Sequence, residues 1–169
     1  MVTTNMGTIY REIKQGRPLP PHEELVVALE RTADVLRHAL DRELARWGLS
    51  IERYNALRIL AGAEGGCHPT LEIAERMVAR CPNITRLIDK LARKGLVKRD
   101  RCSKDRRVVW IRITGRGRKL MKESTAGVRA VVGKACCLPI SDTKAMIDGL
   151  DAIRACVAVC TSRERVKRS

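Results

Sequence analysis

Residues 108 to 114, "VVWIRIT", are a run of strand formers set directly behind the basic block "KRDRCSKDRR" at 98 to 107. A lone strand leaves its backbone donors and acceptors unpaired, so this run needs a neighbour. The nearest is "LVKRD" at 96 to 100, a second short strand. The two predict a β-hairpin whose tip carries Arg101, Lys104, Asp105, Arg106 and Arg107. The strands would hold the hairpin rigid while the arginine-rich tip projects outward.

The rest of the chain reads as helical. It has no Phe and only four aromatics, Tyr10, Trp47, Tyr54 and Trp110, so the core must be Leu, Ile, Val, Ala and Met. Such a core suits helices better than a β-sandwich. Gly16, Pro18, Pro20 and Pro21 make residues 1 to 22 irregular, a mobile arm. Leu25, Leu29, Leu36, Leu40 and Leu44 recur at helical spacing from about His22-Glu23 to Arg46-Trp47, before Gly48. Ser50 is placed to cap "SIERYNALRIL", and Thr70 to cap the short "LEIAERM". In "CPNITRLIDKLARKG", Cys81 takes the N-cap position, Pro82 the first helical position and Gly95 the stop. Ile84, Leu87, Ile88 and Leu91 form its apolar stripe. Asn83, Thr85, Arg86, Lys90 and Arg93 form its polar-basic face. Two short helices joined by a tight turn, the second amphipathic, suggest a helix-turn-helix, and a hairpin directly after it is a wing. Thr114 caps a long helix running to about Ala135. Pro139 breaks it, and a last helix spans Asp142 to about Cys160.

Charge narrows the partners. The chain carries a formal net +15. From Thr85 to Lys119 there are 14 Lys/Arg against 3 Asp, which holds most of that excess on the helix and its wing. A focused positive region favours a polyanion, and a wing tip of this kind can enter a narrow minor groove. No run reaches the ~18 apolar residues of a membrane span, and no apolar signal core opens the chain, so a cytoplasmic location is expected. Seven cysteines without a secreted-scaffold pattern are thiols by default there. There is no C-x-x-C pair and only three His, so no metal and no cofactor are expected. No nucleophile triad, P-loop or G-x-G-x-x-G pattern appears, which argues against an enzyme.

The order of three helices, recognition helix, wing and two further helices resembles the MarR family of winged helix-turn-helix transcriptional regulators. "WGLSIERYNALRIL", "NITRLIDKLARKGLVKRD" and above all "SKDRRVVWIRITGRG" carry the resemblance, over roughly residues 23 to 160. The family pattern of Asp, Arg two residues on, apolar strand, Leu-Thr and Gly is met by Asp105, Arg107, Val108 to Ile113, Thr114 and Gly117, with Ile113 in place of Leu. The implied fold is mainly α with a small β-hairpin wing. It divides into a flexible arm (1–22), an N-terminal dimerisation helix (23–48), a winged helix-turn-helix DNA-binding domain (49–114), C-terminal dimerisation helices (115–160) and a basic tail (161–169).

The implied function is that of a homodimer on a pseudopalindromic double-stranded DNA operator. It would be a repressor released by an aromatic or phenolic carboxylate, or by cysteine oxidation. The alternative is a non-sensing architectural DNA-binding protein. The DNA-contact candidates are Thr70, Asn83, Thr85, Arg86, Lys90, Lys104, Arg106 and Arg107. Asp105 would hold a neighbouring Arg and so orient the wing. His38, Trp47, Tyr54 and Arg58 are the effector candidates, against the reading that Trp47 and Tyr54 are core and Arg58 an ion-pair partner. Cys81, at a helix start beside arginines, and Cys102, on the wing, are the redox candidates.

Overall fold

The computed structural model describes residues 8–101 and 108–166. Its helices are α1 (Thr8–Glu12), α2 (Pro21–Ala45), α3 (Ile51–Gly62), α4 (Thr70–Arg76), α5 (Ile84–Arg93), α6 (Gly115–Ala135) and α7 (Ile140–Val166). The strands are β1 (Cys67–Pro69), β2 (Val97–Arg101) and β3 (Val109–Ile113). The expected hairpin forms: β2 and β3 pair antiparallel, from Val97 opposite Ile113 to Arg101 opposite Val109. A third strand was not expected. β1 pairs with the other edge of β3, giving the order β1-β3-β2.

The chain divides into two compact units, residues 1–131 and 132–169. In the first, Leu44 of α2, Tyr54, Leu57 and Leu60 of α3, Ile73 of α4, Ile88 and Leu91 of α5, Leu96, and Ile111 of β3 make one buried cluster. The period-2 geometry of a strand explains the sheet's share: Ile111 and Ile113 are buried while Arg112 between them is exposed. Each fully buried Leu or Ile contributes about 1.5–3 kcal/mol relative to exposure, so this lobe closes its own core. In the second unit, α7 leaves Ile140, Met146, Ile147, Val157 and Val159 exposed.

Several local expectations change. Residues 1 to 22 are not wholly irregular: α1 forms at Thr8–Glu12, and Tyr10 is buried. Its hydroxyl donates to Glu24 Oε2 at 2.8 Å and accepts from Leu19 N at 3.1 Å. The Leu19 N–H pulls that phenol down, but burial and the Glu24 carboxylate outweigh it and hold the phenol above its ordinary range. Thr70 does not cap α4. It is the first helical residue, after Pro69, and its hydroxyl donates to Val109 O at 3.2 Å. Cys81 does not cap α5. Asn83 does, its Oδ1 accepting from Arg86 N at 2.9 Å. An amide oxygen accepts a backbone N–H far better than a thiol, so the later residue sets the helix start.

Ser50 and Thr114 do cap as expected. Ser50 Oγ accepts from Arg53 N, and Thr114 Oγ1 accepts from Gly117 N at 3.0 Å. Gly95 ends α5 in the left-handed region, at φ +68°. The Thr114 hydroxyl also lies 2.8 Å from Gly95 O, and Thr114 N donates to Leu96 O at 3.0 Å. A Cβ on Gly117 would collide with the Leu96 carbonyl. The exit of the wing is thereby fastened to the end of α5.

Candidate nucleic-acid interface

Helix α5 divides cleanly. Leu87, Ile88 and Leu91 are buried against the lobe, whereas Asn83, Thr85, Arg86 and Lys90 are exposed. The spacing fixes this, because apolar positions three and four apart share one face of a 3.6-residue helix. Among the described residues, neither Arg86 nor Lys90 is paired with a carboxylate. An exposed helix face with unneutralised cations beside hydrogen-bonding side chains suits both base edges and phosphates.

Arg99 of β2, which the sequence reading did not single out, ties the wing to this helix. Its Nη2 lies 2.6 Å from Asp89 Oδ1 and donates to Thr85 O at 3.4 Å. Both partners are partly exposed, at 39% and 44%, so the pair adds at most about 1 kcal/mol of stability. Its consequence is geometric: the first wing strand and the recognition helix are oriented together. Arg112 of β3 makes a similar brace, with Nε 3.2 Å from Asp100 Oδ2 and Nη1 donating to Gly65 O at 3.0 Å. Thr70, through Val109 O, links α4 to the same sheet. Lys104, Asp105, Arg106 and Arg107, and Cys102 with them, lie outside the described residues.

On α4, Glu72 Oε2 is 3.1 Å from His68 Nδ1, and its Oε1 accepts from Arg76 at 2.6 Å. The hydrogen bond from Arg76 holds the Glu72 carboxyl below its ordinary range, helped by the charges of His68 and Arg76 and opposed by burial.

The effector candidates are only partly brought together. Tyr54 is buried, 5% exposed, and its hydroxyl is 3.0 Å from Thr125 Oγ1. The Arg58 guanidinium stands 5.9 Å from the Tyr54 ring centroid, within cation–π range. Trp47 packs against the core with its Nε1 buried and unpartnered among the described residues. His38 is exposed on α2, and its partner is Asp34 of the same helix, 3.2 Å away. Of the redox candidates, Cys81 is half-buried against the core, three residues before the start of α5. Among the described residues no three His, Cys, Asp or Glu side chains converge as metal ligands do. No described helix is long and apolar enough to cross a membrane.

Comparison with known proteins agrees with this geometry. A family model described as "MarR family" matches residues 49–109. The HTH-type transcriptional regulator PrsX of Escherichia coli is 30% identical over 117 residues, covering 68% of this chain and 70% of PrsX. Sco3205 of Streptomyces coelicolor, a MarR family regulator solved in complex with DNA, superposes with a TM-score of 0.72 at 23% identity. That match covers 83% of this chain and 90% of Sco3205. CouR of Rhodococcus jostii RHA1, solved with p-coumaroyl-CoA bound, gives a TM-score of 0.68 at 27% identity, covering 80% of this chain and 95% of CouR. A recognition helix braced to a wing, on a chain with these relatives, identifies the protein: it belongs to the MarR family of winged helix-turn-helix transcriptional regulators.

Proposed function

We propose that the protein is a homodimeric, sequence-specific repressor that reads a pseudopalindromic operator through α5 and the wing and is released by a small effector. The observation that carries this reading is the exposed face of Asn83, Thr85, Arg86 and Lys90, held in register with the wing by Arg99. Arg86 reads a base, since a guanidinium can make a bidentate contact to guanine. Thr85 and Asn83 assist, and Lys90 and Thr70 contact the backbone. On the wing tip, Arg107 enters the minor groove, Lys104 and Arg106 meet phosphates, and Asp105 orients its neighbours.

The segments 23–48 and 115–160 dimerise. Exposed Leu25, Val26, Leu29 and Val35 on α2, and the exposed apolar residues of α7, support that assignment, because such surface is normally covered by a partner. The effector would bind beside Trp47, whose buried Nε1 has no acceptor among the described residues, and beside Tyr54 and Arg58; these groups support that reading. An aromatic carboxylate supplies both a flat apolar body and an acceptor. CouR, solved with p-coumaroyl-CoA bound, supports a phenolic small-molecule effector. Oxidation of Cys81 or Cys102 is the second route of release.

Selection of bound duplexes from a random library, at fixed salt, with protein reduced and then oxidised, tests the proposal. An enriched palindrome with half-sites one helical turn apart supports it. Loss of that site only on oxidation transfers release from the effector to the cysteines. No enriched sequence in either state makes the protein an architectural DNA binder instead.

A further inference from the structure

A cleft of about 160 Å³ opens between the start of α3 and the recognition face of α5. Two helix starts meet there, since Ser50 caps α3 and Asn83 caps α5. Both caps have used an acceptor: Ser50 Oγ takes Arg53 N, and Asn83 Oδ1 takes Arg86 N. Each still has a donor to offer, the Ser50 hydroxyl and the Asn83 amide. Arg53, Arg86 and Lys90 add three cations, none paired with a carboxylate among the described residues. Arg53 spends one guanidinium N–H on Gly48 O, at 3.1 Å, and keeps the others. Glu52 is the single carboxylate in the lining.

A small, donor-rich cleft with an excess of cations fits a ligand that only accepts hydrogen bonds and carries negative charge. Leu87 forms the apolar floor of the cleft, and the polar groups stand around it. We infer that this cleft seats one backbone phosphate of the bound duplex, clamped between Arg53 of α3 and Lys90 of α5. The inference rests on the DNA-binding reading above and extends it to α3. It makes Arg53 and Ser50 register-setting contacts that carry no sequence information.

The test uses the full chain and two unrelated 30-base-pair duplexes, with affinity measured across a salt series. Arg53→Ala should weaken both duplexes several-fold and equally, and flatten the log–log salt slope by roughly 0.9 for each phosphate lost. Arg53→Lys should keep most of the slope. Adding Lys90→Ala to Arg53→Ala should cost less than Lys90→Ala alone, since both act on one phosphate. An unchanged slope for Arg53→Ala, or full additivity of the two changes, overturns the inference while leaving DNA binding intact. Saturable binding of inorganic phosphate that Arg53→Ala abolishes, with duplex affinity unaltered, also overturns it, in favour of a free phosphate ligand. A wild-type protein that binds neither these duplexes at low salt nor any duplex selected from a random library refutes the DNA-binding reading and this one together.

Discussion

The DNA-reading lobe and the C-terminal helix handle apolar surface in opposite ways. From Leu44 to Ile113 the lobe draws on four helices and two strands to bury its large side chains, and Leu57, Leu60, Ile73, Ile88 and Ile111 are fully enclosed. Helix α7 is longer than any element of the lobe, yet Met146 and Val157 remain 58% and 57% exposed. The lobe, with Leu120, Met121 and Val128 of α6 packed against it, thus encloses its core and presents a polar face. The helix keeps large apolar residues at its surface, the kind of surface that a partner commonly covers. That division suits a dimeric reader, in which one part must be rigid before it meets DNA and another must be completed by association.

The contrast can be broken at the lobe's centre. Ile88→Ala, on the buried side of the recognition helix, should cost about 2–5 kcal/mol in thermal or denaturant unfolding. A cost under 1 kcal/mol would mean the lobe core is looser than its burial indicates. On α7 the expectation reverses. Ile147→Asp should leave the lobe's own unfolding nearly unchanged but shift self-association at least tenfold toward monomer in sedimentation experiments. If wild type sediments as a monomer at all concentrations, the dimerising role of the segment fails. A smaller effect separates the two sides of α5. Asn83→Ala removes the cap and should destabilise by about 1 kcal/mol.

The smallest effect is electrostatic. Because the Glu72 carboxyl is held low in the fold, chiefly by Arg76, its contribution is fully present above the ordinary carboxylate range. It is lost as pH falls through the lowered folded value. Glu72→Gln should therefore lower stability slightly at neutral pH, converge with wild type at the acid end, and so flatten the acid limb of the stability–pH curve. An acid limb identical to that of wild type would show that the His68–Glu72–Arg76 cluster adds nothing.

The parts of this architecture written locally were legible in the sequence. The stripe of Ile84, Leu87, Ile88 and Leu91, the caps Ser50 and Thr114, the stop at Gly95 and the β2–β3 hairpin each follow from neighbours within a few residues. The parts written at long range were not. β1 is three residues long and includes Pro69, and only its pairing with β3 makes it a strand. α1 is held by Tyr10 reaching Glu24, 14 residues away. Thr70 looked like a cap because its partner, the Val109 carbonyl, is 39 residues distant. The misplaced cap at Cys81 is different in kind. The sequence there offers both a Pro at a plausible first helical position and an Asn one residue later, and the better acceptor was the informative one. Arg99 could have been suspected from its place in a strand facing a helix that contains Asp89. Fixing the pair required the fold.

The central claim is that α5 reads bases rather than merely adding charge. The most direct measurement takes the selected operator and every single-base-pair variant of one half-site, and compares affinities of wild type and Arg86→Ala at one salt concentration. The account predicts that discrimination collapses by about 1–3 kcal/mol at one position and persists at the others. A loss that is uniform across all variants would contradict it, leaving Arg86 a backbone contact and the recognition face without its reader.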